Sequence, residues 1–319
     1  MNSDLRVVVT DYGFPDVAAE RQIAESAGAV FEDFQCKTEQ EMIAATKDAD
    51  AVIVQFAPMT RAVIAELTRC KVIVRYGVGY DNVDLEAARE RGIIVCNVPN
   101  YCIDEVADHT FAMAMCLTRQ LASIDAEIRR SEWHNTPVRP MPASRQMTFI
   151  TLGFGRIARA VLDRAAACKF KIATCDPYLP AEAAASAGIT NLSLDQALAT
   201  ADVLSLHVPL NDASRHMINA RTLAQLKPAC VLINTARGGL VDGVALADAL
   251  NKGALAGAGL DVFEKEPLPL DHPLRTTKNA LLTSHIAWYS EMSGGELQRM
   301  AAEEAVRALR GEPLQSRLV

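Results

Sequence analysis

Three polar residues close apolar runs in the second half of the chain. Arg237 follows Ile233-Asn234-Thr235-Ala236 and precedes Gly238-Gly239, Glu266 follows Gly259-Leu260-Asp261-Val262-Phe263, and His285 follows Leu281-Leu282-Thr283-Ser284. An imidazole moves protons near neutral pH, a guanidinium receives a carboxylate or polarised carbonyl, and a carboxylate beside the imidazole favours its charged form. Hydride transfer to a 2-oxo acid needs all three: a proton donor for the forming alkoxide, a cation, and a partner that keeps the imidazole charged. His285, Arg237 and Glu266 fit those roles in that order. Each residue alone has another reading, as a hydrogen-bonded core histidine, a helix-capping arginine or a solvated glutamate before Pro267. No Ser nucleophile elbow, His-Glu-x-x-His zinc pattern or Walker loop competes with this set, and no metal is expected.

Side chains so far apart in sequence converge only if a regular scaffold brings strand ends together. Short β-branched runs at 6–10, 30–34, 51–54, 72–75 and 93–96 alternate with apolar-periodic segments such as 17–27 and 85–91. That order predicts a parallel sheet covered on both faces, because parallel neighbours need crossover connections. A long helical pattern follows from about Ile103 to Arg130, with Asp104 and Glu105 in its first turn, and is expected to bridge two domains. Pro137, Pro140 and Pro142 break it. A second series of strands is predicted at 148–152, 171–175, 203–206, 230–234, 255–261 and 280–282. The last helix, from about Ser290 to Arg310, is expected to stop at Gly311. Two α/β units result, roughly 1–99 and 100–286. In a doubly wound sheet ligands lie outside the carboxyl ends of the strands, which is where Arg237, Glu266 and His285 fall.

The strand at 148–152 runs into Gly153-Phe154-Gly155-Arg156-Ile157-Ala158 and then an Ala-rich helix. Gly153 suits the tight turn, Gly155 the approach of a pyrophosphate, and Ala158 close helix–strand contact, while the helix N-terminus presents free N–H groups to the anion. The following strand ends at Asp176, 23 residues after Gly153. A carboxylate there accepts from a ribose 2′-hydroxyl and repels a 2′-phosphate, so the expected cofactor is NAD rather than NADP. His207, at the end of the 203–206 run, is a candidate for the adenine pocket. His109, His134, His216 and His272 are read as structural.

Composition fits this outline. At about 150 residues per domain, 319 residues suggest two domains with their own cores. Lys and Arg total 32 against 39 Asp and Glu, a net charge of −7, and the densest basic pair, Arg129-Arg130, is flanked by Glu127 and Glu132. Neither nucleic acid nor an anionic membrane is an expected partner. The eight cysteines form no Cys-x-x-Cys pair and mostly sit in apolar runs, as reduced, buried residues of a cytoplasmic protein would. Asp4 and Arg6 precede the first apolar run, so no secretory leader is expected, and no apolar stretch approaches the ~18 residues of a membrane span.

Nearly the whole chain resembles the D-isomer-specific 2-hydroxyacid dehydrogenases. The matching segments are Arg75-Tyr76-Gly77-Val78-Gly79-Tyr80-Asp81-Asn82-Val83-Asp84, Asn97-Val98-Pro99, Gly153 to Ala158, His207-Val208-Pro209-Leu210, Asn234-Thr235-Ala236-Arg237-Gly238-Gly239, Gly259 to Glu264 and His285-Ile286-Ala287-Trp288. The resemblance implies a flavodoxin-like substrate domain, 1–99 with 287–319, and a Rossmann NAD-binding domain, 100–286. It implies that Arg237, Glu266 and His285 are the catalytic residues and that the Val78 and Gly79 amides bind the substrate carboxylate. It further implies that Asp261 and the Ala236 carbonyl hold the nicotinamide carboxamide, that Arg156, Ile157, Pro209 and Thr235 are further cofactor-binding residues, and that two subunits pair through their cofactor domains. Arg75, Tyr76, Tyr101 and Trp288 are candidates to face a small 2-oxo or 2-hydroxy acid. The run His285 to Glu291 looks most like the branch containing the C-terminal binding proteins, which makes an NADH-sensing binding protein the main alternative. Phosphoglycerate dehydrogenase is another, since Arg61 and Arg75 could meet a phosphate. Formate dehydrogenase is disfavoured by Glu266, where that enzyme carries glutamine. Phosphite oxidation is disfavoured by a Gly77-Val78-Gly79 loop without lysine. Ala158 replaces the usual third glycine, and Ile150-Thr151 depart from the usual Gly-apolar pair, a change expected to shift the first strand slightly.

Overall fold

A computed structural model describes residues 5–137 and 139–319 and divides into two units, one running to Cys102 and resuming at Tyr289–Val319, the other Ile103–Trp288. The first unit carries β1 (Arg6–Val9), β2 (Val30–Asp33), β3 (Ala51–Val54), β4 (Val72–Arg75) and β5 (Ile94–Cys96), all parallel, in the order β2-β1-β3-β4-β5. That is the flavodoxin-like order. Alternation along β1 divides the core: Val7 and Val9 pack with Ala24 of helix Ala18–Ser26 and with Leu297, Ala301 and Ala305 of helix Glu291–Arg310, whereas Val8 faces the other way, toward Met42, Ile64 and Ala88. The long C-terminal helix begins at a Ser290 cap that accepts from Ser293 N and stops at Gly311 in the left-handed conformation, φ 69°.

The second unit has β6 (Thr148–Leu152), β7 (Lys171–Cys175), β8 (Thr190–Asn191), β9 (Val203–Leu206), β10 (Val231–Asn234), β11 (Gly257–Leu260) and β12 (Ala280–Leu282). The parallel order is β12-β11-β10-β9-β6-β7-β8; counted from β6 this is the 3-2-1-4-5-6 dinucleotide-binding order with one more strand. Ile150 and Thr151 do not disturb β6, which keeps unbroken register with β7 and β9. The Thr151 hydroxyl is absorbed by Thr174, at 3.0 Å.

The expected helix from Ile103 to Arg130 is two helices, Ile103–Thr118 and Leu121–Arg129. Gln120 between them is left-handed, φ 54°, and its buried side chain donates to Arg139 O at 2.9 Å, which turns the chain before a second amphipathic helix can continue the first. Both helices lie in the second unit. Val106, Thr110, Met113 and Leu117 form its buried face.

Among the described residues no helix is long and apolar enough to cross a membrane. The eight cysteines are free thiols, and burial pushes Cys70, Cys96 and Cys230 up to about 12. Cys168 is exposed, unlike the buried thiol expected, because it lies at the C-cap of helix Arg156–Ala167.

Candidate active site

The turn after β6 is shaped by its neighbour. Gly153 has φ 96°, and a Cβ there would lie 2.5 Å from the carbonyl oxygen of His207, so the ends of β6 and β9 meet at a distance only glycine allows. A Cβ at Gly155 would meet no atom within 4 Å, leaving open space over the N-terminus of helix Arg156–Ala167, and Ala158 in its first turn is fully buried. Arg156 is exposed and Ile157 half-buried in the same turn. Asp176 closes β7 across the same space. Its Oδ2 accepts from Phe154 N at 2.9 Å and its Oδ1 from Tyr178 N at 2.9 Å, and lone pairs remain for a ribose hydroxyl. Asn191 of β8, a residue with no sequence signal, brackets Asp176 by accepting from its N at 3.0 Å and donating to its O at 2.9 Å. The open turn, helix N-terminus and acceptor fit a dinucleotide's pyrophosphate and ribose.

His207 follows β9 with its Nε2 2.8 Å from Ser205 Oγ; burial pushes it down to about 3, so the ring is neutral and suited to stacking or accepting. Pro209 is exposed in the next turn. After β10, Thr235 Oγ1 lies 2.7 Å from Thr110 Oγ1, and Ala236 O accepts from Arg237 Nη1 at 2.8 Å, which leaves that carbonyl one lone pair for an amide. Arg237 sits at the N-cap of the turn Gly238–Leu240, with no side-chain cap bond, so capping is not its role. A Cβ on Gly238 would overlap the Phe263–Glu264 peptide. The glycine thus lets the Arg237 turn lie against the segment that carries Glu266.

Glu266 and His285 meet. His285 Nδ1 is 2.7 Å from Glu266 Oε2, and Glu266 Oε1 accepts from Phe263 N at 2.9 Å. Burial pushes the Glu266 carboxyl up, but the His285 hydrogen bond, the His285 charge and the Phe263 N–H outweigh it, and the group ends below the usual range. An ionised carboxylate only accepts, so Nδ1 carries a hydrogen and Nε2 is the position left for proton exchange.

Asp261 supports this pair from below. The side chain is 1% exposed, with Oδ1 accepting from Thr283 Oγ1 at 2.5 Å and Ile286 N at 3.0 Å and Oδ2 from Ala287 N at 3.0 Å, while Asp261 O accepts from His285 N at 2.7 Å. Those bonds hold His285 at φ 57°, a costly conformation for a side chain with a Cβ. Because Thr283 donates to Asp261, it accepts from His109 Nε2 at 3.1 Å, and His109 joins the support of the loop. Trp288, expected at the substrate, donates from Nε1 to His285 O at 3.0 Å and braces the same loop. His216 lies 2.5 Å from Glu264 Oε1, and His272 Nδ1 accepts from Leu274 N.

In the first unit the loop after β4 carries the remaining candidates. Tyr76 does not line a pocket: it is 1% exposed, its hydroxyl donates to Glu20 Oε1 at 2.6 Å, and its ring packs edge-on against Phe14. Burial raises both Tyr76 and Glu20, consistent with that short bond between groups shielded from water. The Arg75 guanidinium and the Tyr101 hydroxyl lie beside Gly77, at the start of the Val78-Gly79 segment. Arg61, the other candidate for a phosphate, is paired with Glu90 at 2.5 Å and Asp84 at 3.7 Å.

Residues 111–287 match the NAD-binding domain of the D-isomer specific 2-hydroxyacid dehydrogenases. Over 97% of its length the chain is 36% identical to a D-3-phosphoglycerate dehydrogenase of Methanocaldococcus jannaschii, covering 58% of that protein. The chain thus spans little more than half the length of this relative. A glyoxylate reductase of Korarchaeum cryptofilum is 35% identical over 85% of this chain and 83% of its own. Among solved structures, a D-lactate dehydrogenase of Aquifex aeolicus complexed with NAD and lactic acid has a TM-score of 0.85 at 28% identity, covering 96% of each chain. With an NAD-binding domain matched over more than half its length and relatives this similar, the chain belongs to the D-isomer specific 2-hydroxyacid dehydrogenase family.

Proposed function

We propose that the chain is an NAD-dependent D-2-hydroxyacid dehydrogenase that reduces a small 2-oxo acid, or runs the reverse reaction, with His285 as general acid and base. The observation that carries this reading is the 2.7 Å contact between His285 Nδ1 and Glu266 Oε2 at strand ends of a dinucleotide-binding sheet. A bound nicotinamide dinucleotide would supply the hydride. The chain supplies the rest. The imidazolium of His285 gives its Nε2 proton to the forming alkoxide, Glu266 orients that ring through Nδ1, and Arg237 polarises the carbonyl or holds the carboxylate. In this reading the Val78 and Gly79 amides receive the substrate carboxylate, with Arg75 nearby. Asp261 and Ala236 O retain lone pairs for the nicotinamide carboxamide.

The free cysteines support a cytoplasmic enzyme. Homodimerisation through the cofactor-binding unit is supported by Leu121 and Ile128, exposed on helix Leu121–Arg129, and by exposed Trp133 beyond it. Sedimentation of the wild type and a Trp133→Ser, Ile128→Ser variant tests that, with a monomer expected for the variant.

The test of function is NADH consumption with glyoxylate, hydroxypyruvate, phosphohydroxypyruvate, phenylpyruvate and branched 2-oxo acids, followed by chiral analysis of the product. Turnover with formation of the D-2-hydroxy acid is expected. NADH binding with no turnover on any of them would favour the NADH-sensing binding protein.

A further inference from the structure

The loop Gly77-Val78-Gly79 is held through its carbonyl groups. Gly77 O accepts from Val98 N at 3.0 Å, and Val78 O accepts from Asn97 Nδ2 at 2.6 Å. A trans peptide directs its C=O and N–H to opposite sides. The carbonyl of Gly77 shares a peptide plane with the N–H of Val78, and that of Val78 with the N–H of Gly79. Both carbonyls turned toward Asn97 and Val98 therefore turn both N–H groups away from them. Two successive N–H groups turned to one side are suited to receive an anion.

Asn97 is itself held in place. It is 6% exposed, its Oδ1 accepts from the hydroxyl of Ser316, and its backbone N donates to Ser316 O at 3.3 Å. The hydroxyl donating to Oδ1 leaves the amide nitrogen to face Val78 O, so the side chain has one satisfied orientation. Ser316 is fixed by Glu304, 3% exposed on the C-terminal helix, whose Oε1 accepts from Gln315 N at 2.7 Å and Ser316 N at 3.1 Å and whose Oε2 accepts from Arg307 Nη1 at 2.9 Å. Beyond it, Leu318 N donates to Val95 O at 2.8 Å, and Arg317 bridges antiparallel to Cys96.

We propose that Asn97, backed by Ser316 and Glu304, is a positioning residue for the substrate carboxylate: it orients the Val78–Gly79 peptide so that its N–H faces the anion. The inference rests on the reading that the Val78 and Gly79 amides receive that carboxylate. It makes residues 315–318 part of the substrate site's support, although none of them touches the substrate.

The wild type is assayed first with the panel above, since absence of any turnover removes the functional reading and this inference with it. With turnover present, Asn97→Ala and Asn97→Asp are compared using the best 2-oxo acid, with oxamate as a non-reacting carboxylate analogue. Asparagine to aspartate keeps the shape and the acceptor for Ser316 but removes the donor to Val78 O. In both variants KM and the oxamate Ki should rise together by about tenfold, as loss of one well-made hydrogen bond allows. The kcat should change by less than about threefold, because carboxylate binding is felt equally in ground and transition states. Ser316→Ala should give the same pattern at about two- to threefold, since it acts through Asn97. NADH affinity should be unchanged throughout. Unchanged KM in Asn97→Asp, or kcat and NADH affinity falling in step with KM in either Asn97 variant and in Ser316→Ala, would overturn the proposal.

Discussion

The loop that carries His285 and the loop Gly77-Val78-Gly79 are stabilised in opposite senses. At 285–287 three consecutive N–H groups are consumed, by Asp261 O, Oδ1 and Oδ2, and what the loop offers outward is a side chain. At 77–78 two consecutive carbonyls are consumed, by Val98 N and Asn97 Nδ2, and what the loop offers is backbone N–H. An acidic anchor fits the first and an amide anchor the second, because a carboxylate can only accept whereas an asparagine can donate. Where each loop's backbone polar groups are satisfied thus decides what it presents, a side chain at 285 and backbone N–H at 78–79.

The sharpest way to break this contrast is to remove the side chain that the first loop exists to present. His285→Ala should lower kcat by roughly 10²-fold or more while NADH titrated by fluorescence binds as to wild type. Near-normal turnover would return His285 to a structural role.

The anchors should differ in what they cost the fold. Asp261→Ala leaves two N–H groups and the Thr283 hydroxyl without their buried acceptor, and should destabilise by about 3 kcal/mol in urea unfolding, with kcat falling as the strained His285 relaxes. Asn97→Ala, which strands one carbonyl, should cost about 1 kcal/mol. Equal losses would mean that the two loops are not held by the groups named.

Cofactor choice lies outside both loops and should respond to neither. Asp176→Ala should instead reduce the preference for NADH over NADPH by about tenfold in kcat/KM, a change of about 1.4 kcal/mol. An unchanged preference would remove Asp176 from the ribose site.

Much of this was legible before any coordinates, for physical reasons that also mark where reading stopped. The strands declared themselves as β-branched runs between apolar-periodic segments, and the Gly153 turn and Asp176 lie at the ends of two of them. Tyr76 departs from the expected substrate-facing position for a reason the sequence carries: period 2 from Val72 and Val74 puts it on the core face that packs against the C-terminal helix. The break at Gln120 had no such signal, because apolar periodicity continues past it and the cause is a tertiary bond to Arg139 O. β8 is only Thr190–Asn191, with no apolar run. The Asn97–Ser316 bond joins residues 219 apart, and His109 reaches Thr283 across 174, separations at which no local pattern exists.

The central claim is that His285 and Glu266 act as one proton-transferring pair, and a pH profile tests it most directly. Glu266 is held below the usual carboxylate range, so it remains an ionised acceptor for the Nδ1 hydrogen of its partner through neutral pH. Reduction needs that imidazolium and oxidation needs the neutral ring. Glu266→Gln keeps the shape and removes the charge, so its reduction limb should move to lower pH and weaken at about pH 8, while its oxidation limb begins earlier. Deuterated NADH establishes first that hydride transfer limits the rate in both proteins. With that isotope effect present, limbs displaced in these directions are the predicted result, and a Gln variant that titrates where the wild type does would contradict the account.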